Sequence, residues 1–231
     1  MQLHNSQFTT LRGNSQFAIS HWLLALGLLL AGVGGAFLPW IWYESVALQL
    51  TGPGLAEFVK FLPAVRTGQV QIERLYFLWP LFVAMLALPL FAVNQTLRLP
   101  AWLRRLLRAL VVPLALTGLS PVWTPAILMT PEFRLQTGLA GLAVGLAVVA
   151  PLGQRIPLRW LAALLLAGGL AALILPVWQF NLIQPGLAEA YHDPAALGWG
   201  WQLTAGGILL SLVTAVWAGL QGGQKTGRPE S

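Results

Sequence analysis

The sequence predicts an all-α integral membrane protein of six transmembrane helices, and three observations support this. Of 231 residues, 57% are hydrophobic and 9% charged, against about 25% charged in an ordinary soluble domain. Apolar runs of about 20 residues, enough to cross a bilayer as a helix, recur along the chain. Lys and Arg flank these runs instead of forming a stripe, a pattern that sets membrane orientation and does not grip nucleic acid. Nucleic acid is excluded as a partner on that ground, despite a formal net charge of +6. With no cysteine, disulfides, thiol nucleophiles and thiolate metal ligands are absent.

Residues 1–20 are expected as a cytoplasmic tail, polar over most of their length. Span one is placed at 21–42. Gly34-Gly35-Ala36 resembles a signal-peptide cleavage site, but the apolar stretch continues through Phe37-Leu38-Pro39-Trp40, too long for a signal core. The longest loop follows. Within it Pro53 to Leu62 predicts a short amphipathic helix: Gly52 and Pro53 suit its start, and Leu55, Phe58, Val59 and Leu62 share one face. Glu57 and Lys60 lie off that face, and the segment is expected to cover the bundle.

Span two is placed at 75–93, with Pro80 and Pro89 as kink sites. Arg98, Arg104, Arg105 and Arg108 then accompany Leu103, Leu106, Leu107 and Leu110, which predicts a basic interfacial helix leading into span three at 109–129. Anionic lipid suffices to explain those arginines; a cytoplasmic ATPase is the alternative partner. Span four is placed at 135–150, where Gly138, Gly141 and Gly145 offer a small-residue ridge for close helix packing. Span five, 158–178, adds Gly168 as a further packing position. Span six is placed at 198–220, with Thr204, Ser211 and Thr214 expected to bond back to their own helix. Residues 221–231 form a second cytoplasmic tail.

Three Pro/Trp corners divide the spans into three hairpins: Leu38-Pro39-Trp40, Ser120-Pro121-Val122-Trp123 and Leu175-Pro176-Val177-Trp178. Each is expected to end a helix and open an outer loop. Pro53-Gly54-Leu55-Ala56-Glu57 recurs as Pro185-Gly186-Leu187-Ala188-Glu189, which suggests a parallel internal repeat of spans 1–2 and 5–6. With the N-terminus inside, nine Lys/Arg fall on the cytoplasmic side and four outside, so both termini are expected to be cytoplasmic. The expected location is a prokaryotic cytoplasmic (inner) membrane.

Chemistry is sparse. The spans carry essentially no ionisable residue away from their ends, where proton relays and ion sites would put one. His4, His21 and His192 are too scattered to hold a haem. Glu189 and His192 would share a helical face beside Asp193, but no third ligand cluster supports a metal. The expectation is no catalytic residue, no metal and no cofactor. Glu44, Glu57, Glu73 and Glu132 are available to pair with Lys60, Arg66, Arg74 and Arg134, without assignable partners. Tryptophan stands out: Trp40, Trp42, Trp79, Trp123, Trp178, Trp199 and Trp201 all map to the outer end, as interfacial anchors or an aromatic pocket for an apolar tail. The expected function is a non-catalytic membrane subunit or scaffold that binds the lipid bilayer and membrane-protein partners. The alternative is a permease component for an apolar or amphipathic substrate.

Overall fold

The computed structural model describes residues 3–43, 48–121, 123–192 and 194–224; for 3–19, 43 and 221–224 it gives the backbone path alone. Glu44, Val122, Asp193, Lys225, Arg228 and Glu230 lie outside the described residues. The elements in chain order are α1 (Leu3–Phe37), β1 (Ile41–Tyr43), β2 (Leu48–Leu50), α2 (Gly52–Phe58), α3 (Pro63–Arg66), α4 (Trp79–Val93), α5 (Ala101–Thr117), α6 (Pro125–Leu128), α7 (Arg134–Val149), α8 (Leu158–Tyr191) and α9 (Trp199–Gln224). Among the described residues, five helical segments are long and apolar enough to cross a membrane: 20–37, 74–93, 134–153, 158–191 and 199–220. The chain is therefore a multi-pass helical membrane protein.

The bundle is organised on α4. Its sequence is apolar on every side, the pattern of a helix buried all round; Leu81, Phe82, Met85 and Leu88 are fully enclosed. Helices α1, α5, α7 and α8 pack around it. Pro80 occupies the first turn of α4, where no intrahelical hydrogen bond is lost, so only Pro89 stands inside the helix.

On the outside of this ring α9 pairs with α1 and α8. The α1–α9 seam is unusually close. A Cβ at Gly27 would come within 2.5 Å of Ser211 Oγ, and one at Gly34 within 2.6 Å of Thr204 Oγ1. From the other side, a Cβ at Gly207 would meet the Ala31 backbone nitrogen at 2.5 Å. Glycine is required here because the two backbones leave no room for a side chain. Thr204 and Ser211 turn their hydroxyls onto Gly200 and Gly207 carbonyls of α9 itself, at 2.7 and 2.8 Å, as does Thr214 to Leu210.

Both ends of the bundle are tied by polar contacts. At one, the arginine end, Asn94 donates to the Ile156 carbonyl at 2.9 Å, and Trp22 meets Trp102 at 6.1 Å. At the other, the cap end, α2, α3 and the β1–β2 ribbon close over the helices. Helix α5 runs from the arginine end, at Trp102, to the cap end, where Gly118 receives a hydrogen bond from Gln136.

Several expected boundaries move. Span three, expected at 109–129, is a helix over Ala101–Thr117 that takes in Arg104, Arg105 and Arg108. It carries its basic segment without a break and stops at Gly118, so residues 118–121, 123 and 124 are not helical. Span one, expected to reach Trp42, ends at Phe37, and Ile41–Tyr43 is a strand paired antiparallel with Leu48–Leu50. That ribbon also corrects the purely α expectation. The expected N-terminal tail is helical from Leu3.

The largest correction concerns Pro176-Val177-Trp178. Helix α8 runs straight through Pro176 and Pro185 to Tyr191, about 51 Å at 1.5 Å per residue. A proline removes one backbone bond, and burial outweighs that loss: Gln179, Phe180, Ile183 and Leu187 beyond the corner are all buried. His192, with φ 55°, ends the helix in the left-handed region. The two copies of Pro-Gly-Leu-Ala-Glu thus sit differently. The first opens α2 behind the N-cap Thr51, and the second lies inside α8. In both, the leucine is fully buried.

Candidate functional site: an ion-locked cap and its cleft

The cap is held by charges from three separate segments. Thr51 caps α2 by accepting from the Gly54 backbone nitrogen at 3.2 Å, and the apolar face predicted for this segment packs inward, with Leu55, Val59 and Leu62 buried. Glu57 and Lys60, one turn apart off that face, pair at 2.8 Å. Arg74, at the entry to α4, places Nη1 2.7 Å from Glu57 Oε1 and donates through Nη2 to the Glu132 backbone carbonyl at 2.6 Å. Glu132, in the turn before α7, accepts from Lys60 Nζ at 3.0 Å, and its carboxylate lies 3.6 Å from Arg74 Nε. The Phe133 ring stacks under both cations, 4.3 Å from the Arg74 guanidinium carbon and 5.2 Å from Lys60 Nζ, a favourable cation–π arrangement.

Two cations and two carboxylates form a neutral cluster. Arg74 is only 8% exposed, and a buried charge is tolerable only when paired and hydrogen-bonded. Burial alone would lower the Lys60 pKa; the hydrogen bonds and charges of Glu57 and Glu132 outweigh it and hold the ammonium above the usual lysine range. Glu73 takes another role, capping the turn at Arg74 by accepting from the Leu75 backbone nitrogen at 3.3 Å.

Beside the cluster a cleft of about 610 Å³ opens, lined by Pro53, Gly54, Glu57, Leu116, Thr117, Leu119, Ser120, Pro121, Trp123 and Gln136. Its size falls within the about 300–1,000 Å³ of small-molecule sites. The polar element of most interest is Gln136, in the first turn of α7 and 2% exposed. Its Nε2 donates to the Gly118 carbonyl at 2.7 Å. Its Oε1 has no partner; among the described residues only Trp79 Nε1 shares that condition. Burying an amide oxygen unpaired costs about 1–3 kcal/mol, so the site is poised to accept a donor.

The seven tryptophans expected at the outer end stand in different surroundings. Trp40 is fully buried, donates through Nε1 to the Gly34 carbonyl at 3.1 Å, and meets Trp201 edge-on at 4.9 Å. That carbonyl is one of the last of α1, and the indole supplies the partner a helix end lacks. Trp178 lies against Tyr76 at 6.2 Å. Trp42, Trp123, Trp178 and Trp199 are each about half-exposed. Trp123 alone of the seven lines the cleft.

The glycines divide in the same way. A Cβ at Gly138, Gly141 or Gly145 would meet nothing within 4 Å, whereas one at Gly168 would touch Val83 of α4 at 3.3 Å. The α7 ridge therefore opens away from this chain. Among the described residues no three His, Asp or Glu side chains gather as metal ligands; His192 ends α8 and Glu189 is exposed.

Sequence reasoning missed Arg74, Glu132 and Phe133 as a unit, and Gln136 altogether. The Glu57–Lys60 spacing was a signal for part of the cluster. A lone Gln entering an apolar span was a signal for the rest. No family model, curated protein or solved structure matches the chain. What the fold and site define is a polytopic helical membrane protein without an obvious catalytic motif.

Proposed function

We propose that this chain is a non-catalytic integral membrane protein, a subunit or scaffold of a membrane complex. One observation carries the reading. On the five apolar segments charged side chains fall only within the first two or last three residues, and the buried Arg74 is already neutralised by its neighbours. Among the described residues the buried ionisable side chains are that paired Arg74 and His21, in the first turn of its segment, so none lies mid-span where a reaction or an ion would be coupled. The outward α7 ridge supports assembly with another helix. The exposed Arg104 and Arg105 suit an anionic membrane surface.

In this reading α5 is the sixth span, and both termini lie on the cytoplasmic side of a prokaryotic inner membrane with the cap outside. Single cysteines test the topology cleanly because the chain has none of its own. Gln69→Cys should react with an impermeant maleimide in intact cells, and Arg155→Cys only after permeabilisation; the reverse pattern refutes the orientation. Purification in mild detergent tests the role. A partner retained with the wild type and lost with Gly141→Leu supports a subunit, and a solitary monomer that binds nothing overturns it. A permease for an apolar or amphipathic substrate is the second reading: Pro89 and Pro113 lie inside α4 and α5, where each removes a backbone bond, whereas Pro80 sits in a first turn and introduces no kink.

A further inference from the structure

We propose that the cleft beneath the cap binds a neutral, membrane-soluble alcohol, whose hydroxyl donates to Gln136 Oε1 while its chain lies along Leu116, Leu119 and Trp123. The inference needs the chain to sit in a membrane and stands whether or not a protein partner exists.

Three features define the ligand. Gln136 directs one amide N–H to the Gly118 carbonyl and leaves Oε1 without a donor, so what the site lacks is a donor; an ether or a carboxylate would leave that oxygen unpaired. Glu57, the one charged residue on the wall, has one oxygen on Arg74 and the other on Lys60, so the site presents no free charge and favours a neutral head. Leu116, in the last turn of α5, and Trp123, beyond its end, are 42% and 58% exposed, and along them an apolar chain leaves the cleft for the bilayer. The acceptor is covered, so the hydroxyl reaches it only as a wall side chain turns aside.

The test uses the full chain in phospholipid nanodiscs with a photoreactive diacylglycerol, and its methyl ether as the control without a donor. The alcohol should label residues 116–123 about fivefold or more above the ether, a ratio in the range of one hydrogen bond. Gln136→Leu should make the two probes equal. Leu116→Trp fills the cleft without touching the Gln136–Gly118 bond, and should abolish labelling by both while the protein elutes and melts as wild type. It decides the matter even if Gln136→Leu does not fold. Equal labelling of wild type by both probes, labelling elsewhere, or labelling that survives Leu116→Trp would each refute the site. So would a high-resolution structure of the probe-saturated protein showing only water on Oε1.

Discussion

Arg74 Nη1 lies 2.7 Å from Glu57 Oε1, joining the entry of the central helix α4 to the short helix α2 that covers it. Arg74→Leu leaves Glu57 with Lys60 alone and takes the donor from the Glu132 carbonyl. It should lower stability by about 1.5–3 kcal/mol, the range for hydrogen bonds to charged groups. Lys60, about a third exposed, should matter far less: Lys60→Gln is expected to cost no more than about 1 kcal/mol. Thermal unfolding in detergent of the two variants checks the ranking.

The Lys60 contribution should survive into alkaline solution. Its folded pKa is raised, so its stabilisation is fully present below the unfolded value of about 10.4 and is lost as pH rises through the higher folded value. Glu57 and Glu132 are the groups it faces, with Arg74 beside them. The stability difference between wild type and Lys60→Met should therefore stay flat from pH 8 to about pH 10 and shrink above that. A difference that already fades between pH 8 and 9 would contradict the pairing.

Glycines of similar appearance should behave oppositely. Gly207→Ala drives a methyl group into the backbone of α1 and should destabilise by about 1–3 kcal/mol, as overpacking does. Gly141→Ala adds a methyl group to open space and should change unfolding by no more than about 0.5 kcal/mol. Melting temperatures of the two variants in one detergent give the comparison.

Tryptophans should divide as sharply. Trp40→Ala removes a fully buried ring and its bond to Gly34, and about 3–5 kcal/mol should be lost. Trp123→Ala, at a half-exposed position, should leave the fold within about 0.5 kcal/mol of wild type. Chemical denaturation followed by tryptophan fluorescence reports both.

Much of the architecture was legible from composition and periodicity. The apolar run at 75–93 announced a membrane helix, though not its central place, and Leu55, Val59 and Leu62 announced the face that α2 and the turn after it bury. Proline misled at Pro176, because the cost of one broken backbone bond is local while the burial of Gln179 and Ile183 is set by tertiary partners. The cap cluster was illegible for a related reason: Lys60 and Glu132 stand 72 positions apart, and no pattern along the chain encodes which charges the fold brings together. Gln136 left a fainter trace. A single amide entering an apolar span is unusual, but it is the fold that leaves its oxygen without a donor.

The α1–α9 seam has a consequence for biosynthesis. Gly27 is matched to Gly207 and Gly34 to Gly200 and Thr204, far along the chain, and at about 5–20 residues per second the ribosome makes α9 roughly ten to forty seconds after α1. For that interval the first helix resides in the membrane with its glycine groove unfilled, open to an insertase or to mispairing with a neighbour. Chains truncated before α9 keep the groove bare permanently, which gives quality-control proteases a structural mark by which to tell unfinished copies from complete ones.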